Sequence, residues 1–122
     1  MHGSVQPGET VTILSSRGEF LAKAAFNPNS KITARIWTWE QAEEVTPEFL
    51  YRILERSIKS RNQLFPDLEE NSALRLVHGE SDGLPGFIVD RYANVLVVQI
   101  LASGAEYWRE ILLDHLEKLT GL

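Results

Sequence analysis

The run Gly79-Glu80-Ser81-Asp82-Gly83-Leu84-Pro85-Gly86, entered from Leu74–His78 and leaving through Phe87-Ile88-Val89-Asp90-Arg91, decides how the second half of the chain folds. Its glycines and its Leu-Pro-Gly sequence predict a tight reversal, with Pro at the second turn position and Gly at the third, where positive φ is required. The flanks read as strands, so the motif is strand–turn–strand. A glycine-rich loop can also cradle an anion on its backbone N–H groups. Glu80 and Asp82 inside the loop, the lack of a Lys followed by Ser or Thr, and the strand that follows favour the structural turn, made by Gly79, Glu80, Ser81, Asp82, Gly83, Pro85 and Gly86.

Working outward, Val95–Leu101 is a third strand, joined to the second by Arg91-Tyr92-Ala93-Asn94. Ser103 followed by Glu106 predicts a capping box at the start of a helix. Trp108, Ile111, Leu112, His115, Leu116 and Leu119 form that helix's inner stripe, and Gly121 is its natural stop. Upstream, Thr46 as N-cap and Pro47 in the first helical position open another helix. Phe49, Leu50, Ile53, Leu54, Ile58 and Phe65 line its apolar face, Arg52, Arg56, Lys59 and Arg61 its remaining surface, and Pro66 ends it. The result is a helix–β–β–β–helix unit around a small antiparallel sheet, an α+β arrangement.

The first third reads as β: Glu9–Leu14 and Phe20–Ala25 as a hairpin around Ser15-Ser16-Arg17-Gly18, a loop at Asn27-Pro28-Asn29-Ser30, then Ile32–Trp39. Three strands with so few apolar positions cannot bury much alone. Either a partner is missing or the second half covers them.

At 122 residues, with 43% hydrophobic and 24% charged, the composition is that of an ordinary globular domain and excludes a disordered or low-complexity chain. There is no cysteine, which excludes disulfides, a thiolate nucleophile and a cysteine-ligated zinc site. The longest wholly apolar run, Val95–Val98, is far too short to span a bilayer. No leader is read in the first ten residues, so the expected location is cytoplasmic, away from membranes. Twelve basic and 17 acidic residues give a net charge of -5, which argues against a strong autonomous grip on nucleic acid and leaves room for a local basic patch.

Several groups invite chemistry. Glu80, Asp82 and Asp90 are candidates for a metal or acid–base site, but loop spacing does not make them converge, and solvated or turn-capping carboxylates are the expectation. His2, His78 and His115 have no ligand spacing, and the last two are read as structural. No nucleophile elbow and no dinucleotide fingerprint occur. Lys23, Lys31, Arg35, Trp37 and Trp39 interleave cations with aromatic rings, as loop and single-stranded RNA recognition requires, and Lys23, Lys31, Arg35 and Trp37 are the nominated RNA contacts. The competing reading packs Trp37 and Trp39 inside the fold.

Three blocks together resemble one bacterial family: Phe26-Asn27-Pro28-Asn29-Ser30-Lys31-Ile32-Thr33-Ala34-Arg35-Ile36-Trp37; the Gly79–Gly86 run with Asp90-Arg91-Tyr92; and Gln99 with Ser103-Gly104-Ala105-Glu106. These are the PUA-containing, S-adenosylmethionine-dependent methyltransferases that modify carbon 5 of a cytosine in large-subunit ribosomal RNA. Members have an N-terminal PUA domain, a small central α+β domain and a C-terminal Rossmann-like catalytic domain. The resemblance implies that residues 1–45 are the later part of a PUA-like unit, that residues 46–122 are the central domain, and that the catalytic domain is absent. It implies S-adenosylmethionine as cofactor of the full-length family and none in this chain. It also implies that the cysteine nucleophile of this chemistry is not supplied here. The expected function is a non-catalytic RNA-recognition and central module, with ribosomal RNA and the catalytic domain as partners. The alternative is a protein–protein module, dimerising through Val95–Leu101 or by swapping strands of the incomplete PUA-like unit.

Overall fold

The computed structural model describes residues 6–64 and 73–122. His2 and the predicted helix end at Phe65–Pro66 lie outside the described residues. The chain runs β1 (Thr10–Leu14), β2 (Phe20–Phe26), β3 (Ala34–Thr38), α1 (Pro47–Leu64), β4 (Ala73–His78), a single 3₁₀ turn (Gly79–Asp82), β5 (Phe87–Tyr92), β6 (Val95–Ile100), α2 (Ser103–Tyr107) and α3 (Arg109–Thr120). Both sheets are antiparallel and three-stranded, ordered β1-β2-β3 and β4-β5-β6. The α+β expectation and the helix–β–β–β–helix order are borne out.

Thr46 opens α1 as expected. Its hydroxyl accepts the Phe49 N–H at 3.2 Å and its carbonyl the Leu50 N–H at 3.1 Å, with Pro47 in the first turn, where no N–H is needed. Phe49, Leu50, Ile53, Leu54 and Ile58 face inward against Leu76, Val77, Phe87 and Val89. Leu76 and Val77 are adjacent in sequence yet both buried, which strict alternation forbids. The β4–β5 register shifts between Arg75 and Val77, so a bulge turns both inward. The Leu76 carbonyl accepts a 2.7 Å hydrogen bond from the buried Ser57 hydroxyl on α1. A similar shift in the β2–β3 register leaves Trp37 without a cross-strand partner and drops its ring into the core.

The second half does cover the first sheet. Gly104 of α2 lies so close to β2 and β3 that a Cβ there would stand 2.5 Å from the Ala25 Cβ and 3.2 Å from the Trp37 ring. Ala25, Trp37 and Ala105 thus join the residues beneath α1 and α3 in one core. The expected capping box does not form. Ser103 is the first helical residue, Ala102 occupies the cap, and no side chain satisfies the free N–H groups. The single helix predicted through Trp108 is two, because α2 packs on β2 while α3 packs on α1.

The β5–β6 connection is a two-residue turn, with Tyr92 opposite Val95 and Ala93 at φ 55°. A side-chain-bearing residue there costs about 1 kcal/mol. Ala93→Gly is therefore expected to raise stability by about 0.5 kcal/mol once glycine's larger unfolded-state entropy is subtracted. A urea midpoint that moves up at unchanged slope confirms this; a downward move rejects it.

Candidate functional site

The turn motif folds as its residues require. The Phe87 N–H donates to the Leu84 carbonyl at 3.0 Å across Pro85-Gly86, with Gly86 at φ +73°. Within the 3₁₀ turn, the Gly83 N–H donates to Glu80 O (3.1 Å) and the Leu84 N–H to Gly79 O (3.0 Å). Leu84 and Phe87 anchor the loop as fully buried side chains. These loop amides are consumed internally, and none of Gly83, Leu84 or Phe87 remains to cradle an anion.

The three carboxylates do not converge. Glu80 pairs with Arg35 of β3, Asp82 with Arg61 of α1 at 2.9 Å, and Asp90 with Arg75 of β4 through two contacts of 2.8 and 3.1 Å. Asp82 also accepts the His78 backbone N–H at 2.7 Å, so it clamps the loop to both β4 and α1. The Asp90 hydrogen bond, and then its charge, raise the Arg75 guanidinium above its ordinary pKa. Among the described residues, no three His, Asp or Glu side chains gather where they would hold a metal ion. His115 is structural in its surroundings: its Nε2 lies 2.8 Å from the Pro47 carbonyl and its ring meets Tyr51 edge-on.

The four nominated RNA contacts separate into two pairs. Lys23 is on the central strand of the first sheet and only 7% exposed; its ammonium donates to the Glu43 carbonyl and to Glu44 Oε1. Trp37 is 5% exposed, packed in the core. These two side chains are spent inside the fold, because β2 lies between two strands and the β3 bulge turns Trp37 inward. Lys31 is exposed in the β2–β3 loop, and Arg35 stands half-buried at the junction of the two sheets. Trp39, past the end of β3, is 70% exposed.

Arg35 forms part of two adjoining clefts. One, of about 290 Å³, lies between the β2–β3 loop and the start of α2, with Asn27, Ile32, Pro85, Leu101 and Glu106 in its walls. The other, of about 330 Å³, is bounded by His78, Glu80, Ser81, Ile88 and Leu101. Sequence reasoning nominated Arg35 but missed Asn27, Ile32 and Glu106 as its neighbours. Their apposition depends on how α2 docks on β2, which no local spacing encodes.

A model of the PUA-like domain matches residues 1–39. The chain is 44% identical over 119 residues to the ribosomal RNA large subunit methyltransferase I of Erwinia tasmaniensis, covering 97% of this chain and 30% of that protein. The proteins of the same name from Yersinia pseudotuberculosis and Yersinia pestis are 44% identical over 117 residues, covering 96% of this chain and 29% of each. Among solved structures, a candidate SAM-dependent methyltransferase from Streptococcus mutans superposes with a TM-score of 0.80 at 15% identity, over 96% of this chain and 31% of that one. A second candidate methyltransferase, solved with SAH, gives 0.80 at 16% identity, over 93% of this chain and 30% of that one. The resemblance read from the sequence is borne out along nearly the whole chain, which spans about 30% of the length of the curated relatives it matches.

Proposed function

We propose that this chain is the non-catalytic RNA-recognition and central module of an S-adenosylmethionine-dependent methyltransferase acting on a cytosine of large-subunit ribosomal RNA. Residues 1–45 are its PUA-like part, residues 46–122 its central domain, and the cytoplasm its place of work. The observation that carries this reading is the 44% identity, over 97% of the chain, to a protein named as a ribosomal RNA large subunit methyltransferase.

The chemistry of the residues agrees with a binding role. There is no cysteine to act as nucleophile. S-adenosylmethionine does not fit the glycine-rich loop, whose Gly83, Leu84 and Phe87 amides are already bonded and which leads into β5 rather than a helix. No step of methyl transfer is assigned to this chain, and ribosomal RNA and a catalytic domain are its partners.

On this reading Lys31 and Arg35 meet RNA phosphates, with Lys23 and Trp37 holding the strands behind them. Lys31→Glu/Arg35→Glu is expected to weaken binding of a single-stranded ribosomal RNA fragment at least tenfold at low salt and to flatten its salt dependence. Glu80→Gln, which breaks the same Arg35 ion pair but spares the cation, should bind at least as tightly as the parent chain. Equal affinity of the double variant and the parent removes both residues from the interface.

The outer row of β6 favours a second reading as a self-association module: Val95 and Val97 are 54% and 43% exposed on this edge strand, and Leu101, just past its end, is 66% exposed. A concentration-independent monomer in light scattering excludes it.

A further inference from the structure

We infer that the cleft between the β2–β3 loop and α2 is a guanine-selective nucleotide site, an assignment that rests on the RNA-binding reading above and sharpens it. At about 290 Å³ the cleft is at the small end of ligand pockets, a size suited to one unstacked base. Its apolar walls include Pro85, Ile32 and Leu101, the last two 53% and 66% exposed, which offer aliphatic contact to the faces of a ring.

The polar groups of the same cleft specify which ring. Glu106 is in its lining, and its carboxylate makes no hydrogen bond or ion pair to another described residue, leaving its two oxygens as acceptors. Asn27 lines it too, and its Oδ1 already accepts the Asn29 N–H at 3.0 Å, which commits the side-chain NH₂ to the role of donor. The Asn27 donor and the two Glu106 acceptors match the Watson–Crick edge of guanine, which presents an acceptor O6 and two adjacent donors, N1–H and N2–H₂; the Ser30 and Ser103 hydroxyls, also in the lining, can turn to donate or accept and do not oppose it. Every other RNA base sets at least one ring or carbonyl acceptor against the carboxylate, and a like pair of acceptors is repulsive. Arg35, in the wall of the same cleft, supplies the cation for the nucleotide's phosphate, exchanging Glu80 for it.

The test titrates the isotopically labelled chain with GMP, AMP, CMP and UMP in turn, following the amide signals of Ile32, Leu101 and Ser103. GMP is expected to shift these signals and to bind at least fivefold more tightly than the other three. Glu106→Gln should erase that preference while leaving AMP binding unchanged. Equal affinities for all four nucleotides overturn the assignment, as does a GMP preference that survives in Glu106→Gln. RNA binding that depends on Lys31 and Arg35 but shows no preference for GMP overturns the guanine site and leaves the RNA reading standing. Loss of both overturns both.

Discussion

Gly86→Ala is expected to destabilise the chain by about 3 kcal/mol, a large part of the 5–15 kcal/mol that holds a typical domain together. Two costs combine. Gly86 sits at φ +73°, which costs an alanine about 1–2 kcal/mol. The new Cβ would also stand 2.3 Å from the Ala102 Cβ and 2.7 Å from its backbone nitrogen. Neither neighbour can retreat cheaply, because the adjoining Leu101 N–H is bonded to the Gly86 carbonyl at 2.7 Å. Forced overpacking of this kind costs about 1–3 kcal/mol. Gly18→Ala supplies the comparison: φ is +81°, with nothing within 4 Å of the added carbon, so only the conformational cost of about 1 kcal/mol is expected. Urea melts of the two variants separate the contributions. If Gly86→Ala loses no more stability than Gly18→Ala, the close approach of Ala102 has no energetic weight.

The second large effect belongs to Asp82. Its carboxylate is 13% exposed and joins two elements, taking the Arg61 guanidinium of α1 and the His78 N–H at the end of β4. Hydrogen bonds to a charged group contribute about 1.5–3 kcal/mol, and removing the carboxylate also strands an Arg61 side chain that is 21% exposed. Asp82→Ala should therefore cost about 2–3 kcal/mol. Asp82→Asn, which keeps an acceptor for His78 and loses the charge, should cost roughly half that. An Arg61→Ala/Asp82→Ala double variant no less stable than either single variant would show that the two side chains act as one unit. Strict additivity of the single losses would place the effect in the His78 contact instead.

Much of this architecture was legible because local chemistry specified it. Thr46-Pro47 can only begin a helix well, Leu84-Pro85-Gly86 can only turn, and the 3.6-residue stripe of α1 identified its buried face before any contact was known. The misreadings came where distant residues overruled local signals. Ser103 and Glu106 have the spacing of a capping box, but the helix starts one residue earlier, with Ala102 as its cap and Ser103 as its first residue, and Gly104 lies against Ala25 and Trp37. Lys23 and Trp37 looked like surface cation and aromatic platform, since alternation along a strand cannot reveal a bulge or which strand lies in the middle. The carboxylates Glu80, Asp82 and Asp90 are close in sequence, and each is claimed by an arginine from a different element. The cleft itself is formed by parts far apart in the chain, Asn27 and Glu106 being 79 residues apart, and only the docked fold brings them to one surface.

Arg35 is a wall of both neighbouring hollows and has one guanidinium to offer. A ligand that draws that group into the hollow beside Asn27 withdraws it from the one beside His78, and by reciprocity a ligand in the second weakens the first by the same factor. Ligands in the two hollows would therefore compete for one cation, which Glu80 already holds. On the proposed RNA-binding reading, a strand crossing this junction would have to choose a side.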